Sequence, residues 1–445
     1  MNVNIITLGC SKNTVDSENL AGRLREMGHT VFFDGVAVGD GKTSLTQHTS
    51  FDAVIVNTCG FSGDAKEESI NTILQQIKGK ERKKSVKLIA CGCLVERYRD
   101  ELASEIPEVD AWFGVHEWEA IAESLRGVGE DSASTASCTV RPLSTPGHYA
   151  YLKIAEGCDR RCSYCAIPLI RGAHRSRPME ELVEEAKRLV TGGVKELLVI
   201  SQDTTFYGLD LYHHRALGEL LERLASESGA EWIRLHYTYP ASFPTDALDA
   251  MRRHDNICNY IDIPLQHINS RILGSMHRGI DREGTLALLR RFREEVPGVS
   301  VRTTLIVGYP GETLEEFEEL KAFVREARFD RMGCFAYSPE EGTEAFRLAD
   351  DVPQQEKERR VAELMEVQEA ISLEKNQERV GQTYRVLVDG RQGDYLVGRT
   401  EHDSPEVDDE VLISLPAHGR LPRPGDFVTV RVTQALEHDL MAELV

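Results

Sequence analysis

The sequence predicts an α/β protein in three parts: an N-terminal Rossmann-like parallel α/β domain, a partial (β/α)6 barrel, and a small C-terminal all-β barrel. Three observations predict it. Short β-rich runs alternate with amphipathic helical patterns as far as about residue 378, the order that parallel sheets with right-handed crossovers require. A stretch rich in Gly, Ser, Thr and Pro, without period, interrupts that alternation at Gly127–Gly147. Beyond residue 379 the helical period gives way to short alternating runs broken by Asp-Gly, Gly-Asp and Pro-Gly. At about 150 residues per domain, 445 residues suit three domains. The expected boundaries are 1–127, a linker at 128–147, 148–378 and 379–445.

In the first part, Val3–Leu8, Ala53–Val56 and Val86–Ala90 read as strands. Thr14–Met27 reads as a helix, with Asn13 as cap and Leu20, Leu24 and Met27 facing inward. Asp64–Ile77 reads as another, because Ile70, Ile73, Leu74 and Ile77 recur at helical spacing and Asp64 with Glu67 suits a capping box. In the second part, strands are expected at Tyr151–Ile154, Leu197–Ser201, Trp232–Thr238, Tyr260–Ile263, Val299–Val307 and Met332–Tyr337. Helical patterns separate them, including Glu180–Val190, Ala216–Leu224 and Glu315–Ala327. Six β/α units are fewer than the eight of a closed barrel, so an open, partial barrel fits. Asp350–Arg379 is a charged helix with Pro353 near its start. It precedes strands at Tyr384–Val388, Tyr395–Arg399, Val411–Leu415 and Phe427–Val432.

Composition narrows the function. With 41% apolar and 28% charged residues the chain has material for several cores, which excludes wholesale disorder, collagen and a pure coiled coil. Lys and Arg number 52 against 73 Asp and Glu, a net charge of −21, which argues against a surface built to wrap nucleic acid. No signal or transit peptide and no bilayer-length apolar run is readable, so a cytoplasmic protein without a membrane partner is expected. Ten cysteines are too sparse for a disulfide scaffold, and in a reducing compartment clustered thiols read as metal ligands or catalysts.

The cysteines carry the sharpest signal. Cys158, Cys162 and Cys165 form a C-x3-C-x2-C set just after the first strand of the second part. By chance such a triplet arises roughly 0.005 times per chain of this composition. Three thiolates on one loop suit three corners of a cubane iron-sulfur cluster with one iron left open. The alternative is a zinc site with His174 as fourth ligand. Cys10, Cys59 and Cys93 each follow a strand, at the sheet edge where open α/β folds build their sites. They suit a second three-thiolate site or, alternatively, three buried small hydrophobes. Cys91 points to the other face of its strand, and Cys138, Cys258 and Cys334 have no partners by spacing.

The triplet, with Tyr164 before its last cysteine, resembles the signature of radical S-adenosylmethionine enzymes, whose core is a partial (β/α)6 barrel. The whole chain resembles the methylthiotransferases within that superfamily, which join a cluster-binding N-terminal domain, a radical core and a C-terminal β-barrel called a TRAM domain. The resemblance implies that Cys10, Cys59 and Cys93 hold an auxiliary 4Fe-4S cluster and Cys158, Cys162 and Cys165 the radical 4Fe-4S cluster. It implies S-adenosylmethionine as cofactor, with Tyr164, Asp203, Gln266 and Gly308 as contacts. In place of the Gly-Gly-Glu-like stretch common in the superfamily stands Ser201-Gln202-Asp203-Thr204. The Gly308 turn also reads as a plain strand-to-helix connection capped by Thr313. Arg160, Arg161, Arg171, Arg175 and Arg177 crowd the cluster loop, to pair with cofactor or substrate or to offset thiolate charge.

Gly9–Glu18, Ser201–Gly208 and Ile261–His267 resemble the methylthiotransferases acting on a ribosomal protein rather than on tRNA adenosine. That implies methylthiolation of an aspartate β-carbon in small-subunit ribosomal protein twelve, free or on the ribosome, with a low-potential electron donor and no direct tRNA substrate. Charge agrees: from Asn376 onward there are 13 acids and 7 bases, and Glu401–Glu410 holds six acids without a Lys or Arg. Such a face attracts a basic protein and repels phosphate, unless it is only a solvated charge run. The alternatives are a tRNA methylthiotransferase and a non-catalytic metal-binding ribosome adaptor.

Overall fold

Aliphatic runs at strand period and at helical period build two compact units in the computed structural model, which describes residues 1–37, 50–82, 86–126, 141–415 and 419–445. Cys138 and most of the expected linker lie outside the described residues. The first unit comprises Met1–Thr145 together with Ala166–Ala173, the second Pro146–Cys165 with His174–Val445.

The first unit runs β1 (Asn2–Thr7), α1 (Ser11–Glu26), β2 (Thr30–Phe33), β3 (Val36–Ala37), β4 (Ala53–Thr58), α2 (Gly63–Arg82), β5 (Lys87–Gly92), α3 (Cys93–Glu105), β6 (Ala111–Phe113) and α4 (Trp118–Ser124). Its sheet has the order β3-β2-β1-β4-β5-β6 and is parallel except at β3. Alternate strand residues fill opposite layers. Val3, Ile5, Ile55, Ile89 and Cys91 pack with Leu20 and Leu24 of α1, whereas Val54, Val56, Leu88 and Ala90 pack with Ile73 and Ile77 of α2 and Leu94 of α3. Each such buried Leu or Ile is worth about 1.5–3 kcal/mol.

Two caps differ from expectation. Asn13 lies inside α1, whose cap position is Cys10, and its amide donates instead to the Leu8 and Thr58 carbonyls at 2.8 and 3.1 Å. In α2, Asp64 sits in the first turn and the Ser62 hydroxyl accepts from Ala65 N–H, so no Asp64/Glu67 box begins the helix.

In the second unit, β7 (Tyr149–Lys153) is followed by a short β8 (Ala155–Glu156), which pairs across the cysteine loop with β9 (Arg175–Ser176). Between these two, α5 (Ile167–Arg171) belongs to the first unit. There follow α6 (Met179–Thr191), β10 (Glu196–Ile200), α7 (Leu217–Glu227), β11 (Trp232–Leu235), α8 (Asp246–Arg253), β12 (Ile257–Asp262), α9 (Ser270–Ser275), α10 (Arg282–Glu295), β13 (Ser300–Val307), α11 (Leu314–Ala327), β14 (Arg331–Ala336) and α12 (Gln354–Glu378). All six strands of its large sheet, in the order β14-β13-β12-β11-β10-β7, run parallel, with β7 and β14 as edges: an open (β/α)6 arrangement. After α12, β15 (Thr383–Gln392), β16 (Tyr395–Arg399), β17 (Val411–Ser414), β18 (Phe427–Ala435) and β19 (Leu440–Leu444) close a barrel. Val386, Val388, Leu396, Val411, Ile413, Val430 and Ala442 fill it. No helix among the described residues is long and apolar enough to cross a membrane.

Candidate functional site

In the first unit, three strand ends carry Cys10, Cys59 and Cys93. Two glycines let them approach. Gly9 adopts φ +91°, and a Cβ on it would stand 2.7 Å from Cys59 Cβ and 2.8 Å from its sulfur. A Cβ on Gly60 would meet the Leu94 backbone at 2.7 Å and the Cys93 carbonyl at 2.8 Å. Both clashes involve atoms that cannot move aside cheaply, and the positive φ adds strain for any side chain. Gly9→Ala is therefore expected to cost about 1–3 kcal/mol and to disturb the Cys10–Cys59 approach. The measurement is the urea midpoint of the metal-free chain together with iron content after cluster reconstitution.

Polar groups then fix the set. The Asn57 amide donates to the Asn13 carbonyl and to Ser17 Oγ, and Ser69 bonds both the N–H and the carbonyl of Cys59 at 3.0 Å. Asn13 Oδ1 lies 3.6 Å from Cys93 Sγ, and Arg171 of α5 donates an N–H to the same sulfur at 3.2 Å. The three thiols feel one another: burial pushes Cys59 up, and burial raises Cys93 to about 12, with Arg171 opposing and Cys10 and Cys59 adding. Cys10 is held below its ordinary value. Desolvation opposes ionisation there, but Lys12, Arg171 and two backbone N–H groups outweigh it. Cys91, buried in the core on the α1 side, takes no part.

In the second unit, Cys158, Cys162 and Cys165 line one half-buried loop. The loop is held at Ser163, whose N–H reaches the Met276 carbonyl and whose carbonyl accepts from Ala345 N–H. Its hydroxyl meets the Ser275 carbonyl and Tyr309 OH at 2.8 and 2.9 Å. Arg160 N–H donates to Cys158 Sγ at 3.4 Å, and burial lifts the Cys158 thiol to about 12. Arg278, a buried residue, donates to Cys162 Sγ at 3.4 Å and to Tyr164 OH at 3.2 Å. Tyr239 OH lies 3.6 Å from the same sulfur, and the guanidinium groups of Arg160 and Arg278 stand 4.0 and 4.3 Å from its ring. Cys158 and Cys162 sulfurs thus each accept one N–H, from the Arg160 backbone and the Arg278 side chain, and two cations flank the Tyr239 ring beside Cys162.

Among the described residues, no three His, Cys, Asp or Glu side chains gather as they would around a single ion. A cubane makes a different demand, since each thiolate binds its own iron and the three sulfurs need not converge on one point. His174 has its Nε2 3.1 Å from Ser176 Oγ and its backbone N–H on Asp159, its Nδ1 is buried without a hydrogen-bond partner, and burial lowers its affinity for a proton. A zinc site completed by His174 gains no support from this geometry.

The other expected residues divide. Tyr164 packs beside Ile272, Met276 and Tyr309. Asp203, buried, pairs with Arg160 at 2.7 Å and accepts from Thr205 N–H and Oγ1, so three donors of the chain already hold its carboxylate. Gln266 takes φ +74°, rare for a residue with a side chain, and its buried Oε1 has no hydrogen-bond partner. Gly308 has its open face filled by the Lys357 stem from α12, and Thr313 with Glu316 forms a capping box on α11. Its lack of a side chain is thus required within the fold itself. Of the five arginines, Arg160 and Arg171 meet cysteines, Arg177 pairs with Glu185 and the Lys153 carbonyl, and Arg161 and Arg175 are exposed. Arg278 and Tyr239 carry no local motif; their φ-strained neighbours His277 (+56°) and Tyr237 (+55°) are visible only in the fold.

The acidic run corrects an expectation. Residues 401–410 do not present six free acids to a basic partner. Asp403 pairs with Arg331 at 2.5 Å, Asp408 with Arg302 at 3.2 Å and with Tyr260 OH at 2.7 Å. Glu406 accepts from Tyr149 and Tyr151, both at 2.9 Å, and Glu401 from Asn259 N–H at 3.2 Å. Asp409 lies 3.2 Å from Arg331. Five of the six acids thus dock the β-barrel onto strand residues of the core inside the second unit, and Glu410 stays exposed. Burial lifts Asp409 to about 6, with Arg331 opposing and Asp403 adding. A folded value above the unfolded one means that the neutral acid's stability is full below about pH 4 and is lost as pH rises through 6. Asp409→Asn is expected to stabilise by on the order of 1 kcal/mol at pH 7 and not at pH 4, read from urea unfolding at both values.

Comparison with known proteins extends over the whole chain. Residues 152–324 match the radical SAM superfamily, 380–445 the TRAM domain and 2–114 the uncharacterized protein family UPF0004. The chain is 52% identical over 441 residues to the ribosomal protein uS12 methylthiotransferase RimO of Flavobacterium johnsoniae, covering 99% of this chain and 97% of the relative. It is 51% identical over 444 residues to that of Bacteroides thetaiotaomicron, covering 100% and 98%. Among solved structures, the radical S-adenosylmethionine methyltransferase TsrM from Kitasatospora setae, with cobalamin and a [4Fe-4S] cluster bound, aligns at TM-score 0.51 and 16% identity over 76% of each chain. The cobalamin-dependent radical enzyme OxsB aligns at TM-score 0.52 and 13% identity, over 83% of this chain and 56% of that one. These two likenesses concern the fold alone.

Proposed function

The chain belongs to the RimO family of ribosomal protein uS12 methylthiotransferases, and we propose that it places a methylthio group on the β-carbon of an aspartate of uS12. The observation that carries this reading is identity of about half along essentially the full length of such enzymes. Two separate three-thiol sets fit the two 4Fe-4S clusters that the chemistry needs. Cys158, Cys162 and Cys165 would hold the one that works with S-adenosylmethionine, and Cys10, Cys59 and Cys93 would hold the other. When bound, the first supplies the electron for reductive cleavage of S-adenosylmethionine and the second carries the sulfur that is delivered, with a further S-adenosylmethionine as methyl donor.

The chain's own residues do the rest. The Arg160 backbone N–H donates to Cys158 while Asp203 holds its guanidinium, and Arg278, braced by Tyr164 and the Pro264 carbonyl, donates to Cys162; both bring positive charge to the loop. Tyr239 sets its hydroxyl beside the Cys162 sulfur and its ring beneath both guanidinium groups. Tyr164, Asp203, Gln266 and Gly308 belong to the S-adenosylmethionine site in this reading, and Gln266 Oε1 is the acceptor still free for a ligand donor. Asp203 acts through Arg160 rather than by direct contact. A low-potential donor reduces the enzyme, uS12 is met free or on the ribosome, and the protein works in the cytoplasm.

The deciding experiment supplies reconstituted, reduced protein with S-adenosylmethionine and either uS12 or tRNA. Expected is a mass gain of one methylthio group on a uS12 aspartate. Thio-modified adenosine in the tRNA, with uS12 unchanged in mass, would overturn the reading.

A further inference from the structure

The short helix α5 begins two residues after Cys165, yet it packs in the first unit. Its Ala166 and Ile170 lie buried with Cys93 and Val115. Its last residue, Arg171, is 2% exposed. The guanidinium is fully engaged: one nitrogen donates to Asp16 Oδ2 at 2.6 Å, the other to Asn13 Oδ1 at 2.5 Å and to Cys93 Sγ at 3.2 Å. Asp16 is itself buried, and Asn13 is fixed by its bonds to the Leu8 and Thr58 carbonyls. A buried guanidinium so braced has no freedom to swing away from the sulfur.

We infer that Arg171 is a positioning residue for the Cys10, Cys59, Cys93 cluster, and that its N–H to Cys93 sulfur sets that cluster's reduction potential. The inference rests on the proposed occupancy of this site by a 4Fe-4S cluster. Hydrogen bonds and positive charge at ligand sulfurs stabilise the reduced, more negative cluster and so raise its potential. Simple packing does not explain the arrangement, because Asp16 alone would balance the charge, whereas the second nitrogen is aimed at a ligand.

The test uses the full-length chain carrying Cys158→Ala, Cys162→Ala and Cys165→Ala, so that only the first unit's cluster contributes. Its midpoint potential is read by spectroscopically monitored titration. Into this background go Arg171→Lys, the pair Arg171→Gln with Asp16→Asn, which removes the cation without leaving a lone buried carboxylate, and Val115→Ala, which loosens the same packing without touching the guanidinium. Expected is a lower potential in the Gln/Asn pair, with the reduced-to-oxidised ratio at fixed poise falling about tenfold. The Lys variant falls between it and the parent, and Val115→Ala leaves the potential unchanged. Four irons per chain with an unchanged potential in the Lys and Gln/Asn variants would refute the role of Arg171 while leaving the cluster assignment intact; so would an equal shift on Val115→Ala. A parent chain without iron would overturn the assignment and the inference together.

Discussion

Replacing Cys158 with Ala is expected to reduce S-adenosylmethionine cleavage to background and to halve the iron, from about eight to about four atoms per chain. The loop explains why the loss should be complete. Its three sulfurs are presented by nine consecutive residues, Gly157–Cys165, anchored through Ser163 to the Met276 carbonyl, Ala345 N–H and Tyr309 OH. Two nearby acids are already engaged: Asp203 is bound to Arg160 and Thr205, and Asp159 accepts the His174 N–H. Cys10→Ala should also remove about four irons but leave cleavage intact, so that S-adenosylmethionine is consumed while uS12 stays unmodified. The pair of variants separates the two sets by chemistry, with cleavage product and uS12 mass as readouts. Cleavage surviving in Cys158→Ala would undo the assignment of the second unit's loop.

Periodicity made the order of elements legible. All six core strands stand where alternating β-rich and helical runs indicate, because each carries a short β-branched or aliphatic run bounded by helical patterns, although charged residues such as Glu196, Arg234 and Arg302 interrupt them. Segments too short to show a period escaped: Thr30–Phe33, Val36–Ala37 and Ala111–Phe113 gain their strand geometry from pairing with longer neighbours. Leu440–Leu444 escaped as well, since Leu, Met, Ala and Glu favour helix and only its pairing with β17 and β18 overrides that preference.

The cysteine sets were legible by different routes, one from spacing and the other from recurrence at strand ends. Their supporting cations were legible only in part: Arg160 and Arg171 stand out beside the cluster loop, but nothing local shows that Arg171 turns to Cys93 or that Arg278 serves Cys162. Arg278 follows Cys162 by 116 residues, and Arg171 precedes neither of its polar partners in any local pattern: Asn13 and Asp16 lie more than 150 positions earlier. The acidic run was misread for the same reason. Six acids in ten residues look like a solvated or partner-seeking face until the fold brings Arg302, Arg331, Tyr149 and Tyr260 onto them. Charge in a sequence has sign and density but no direction; only the tertiary partner decides whether it faces water.

That docking supplies the largest expected effect on stability. Glu196, at the start of β10, is completely buried between Arg234 at 2.7 Å and Arg399 at 2.8 Å, and Arg399 also holds Asp389 at 2.7 Å. Burial opposes the Glu196 carboxylate, but Arg399 and Arg234 outweigh it and hold the carboxyl below its ordinary value. Glu196→Gln leaves the side chain's shape and removes the charge, so the Arg234 guanidinium, also completely buried, keeps the Glu401 and Thr400 carbonyls and the Tyr260 ring but no anion of its own. Breaking a buried pair on one side costs about 3–5 kcal/mol, because the remaining charge stays desolvated. The loss should appear as a lower denaturant midpoint for the second unit. Adding Arg234→Met to Glu196→Gln should recover much of it, since removing both charges leaves nothing to solvate. The pH dependence has a fixed sign. A carboxyl lowered by folding contributes stability above its unfolded value and loses it as pH falls through the folded one, so the cost of Glu196→Gln should be full at pH 7 and shrink in acid. If Glu196→Gln unfolds at the parent midpoint at pH 7, the barrel is not held to the core through this carboxylate.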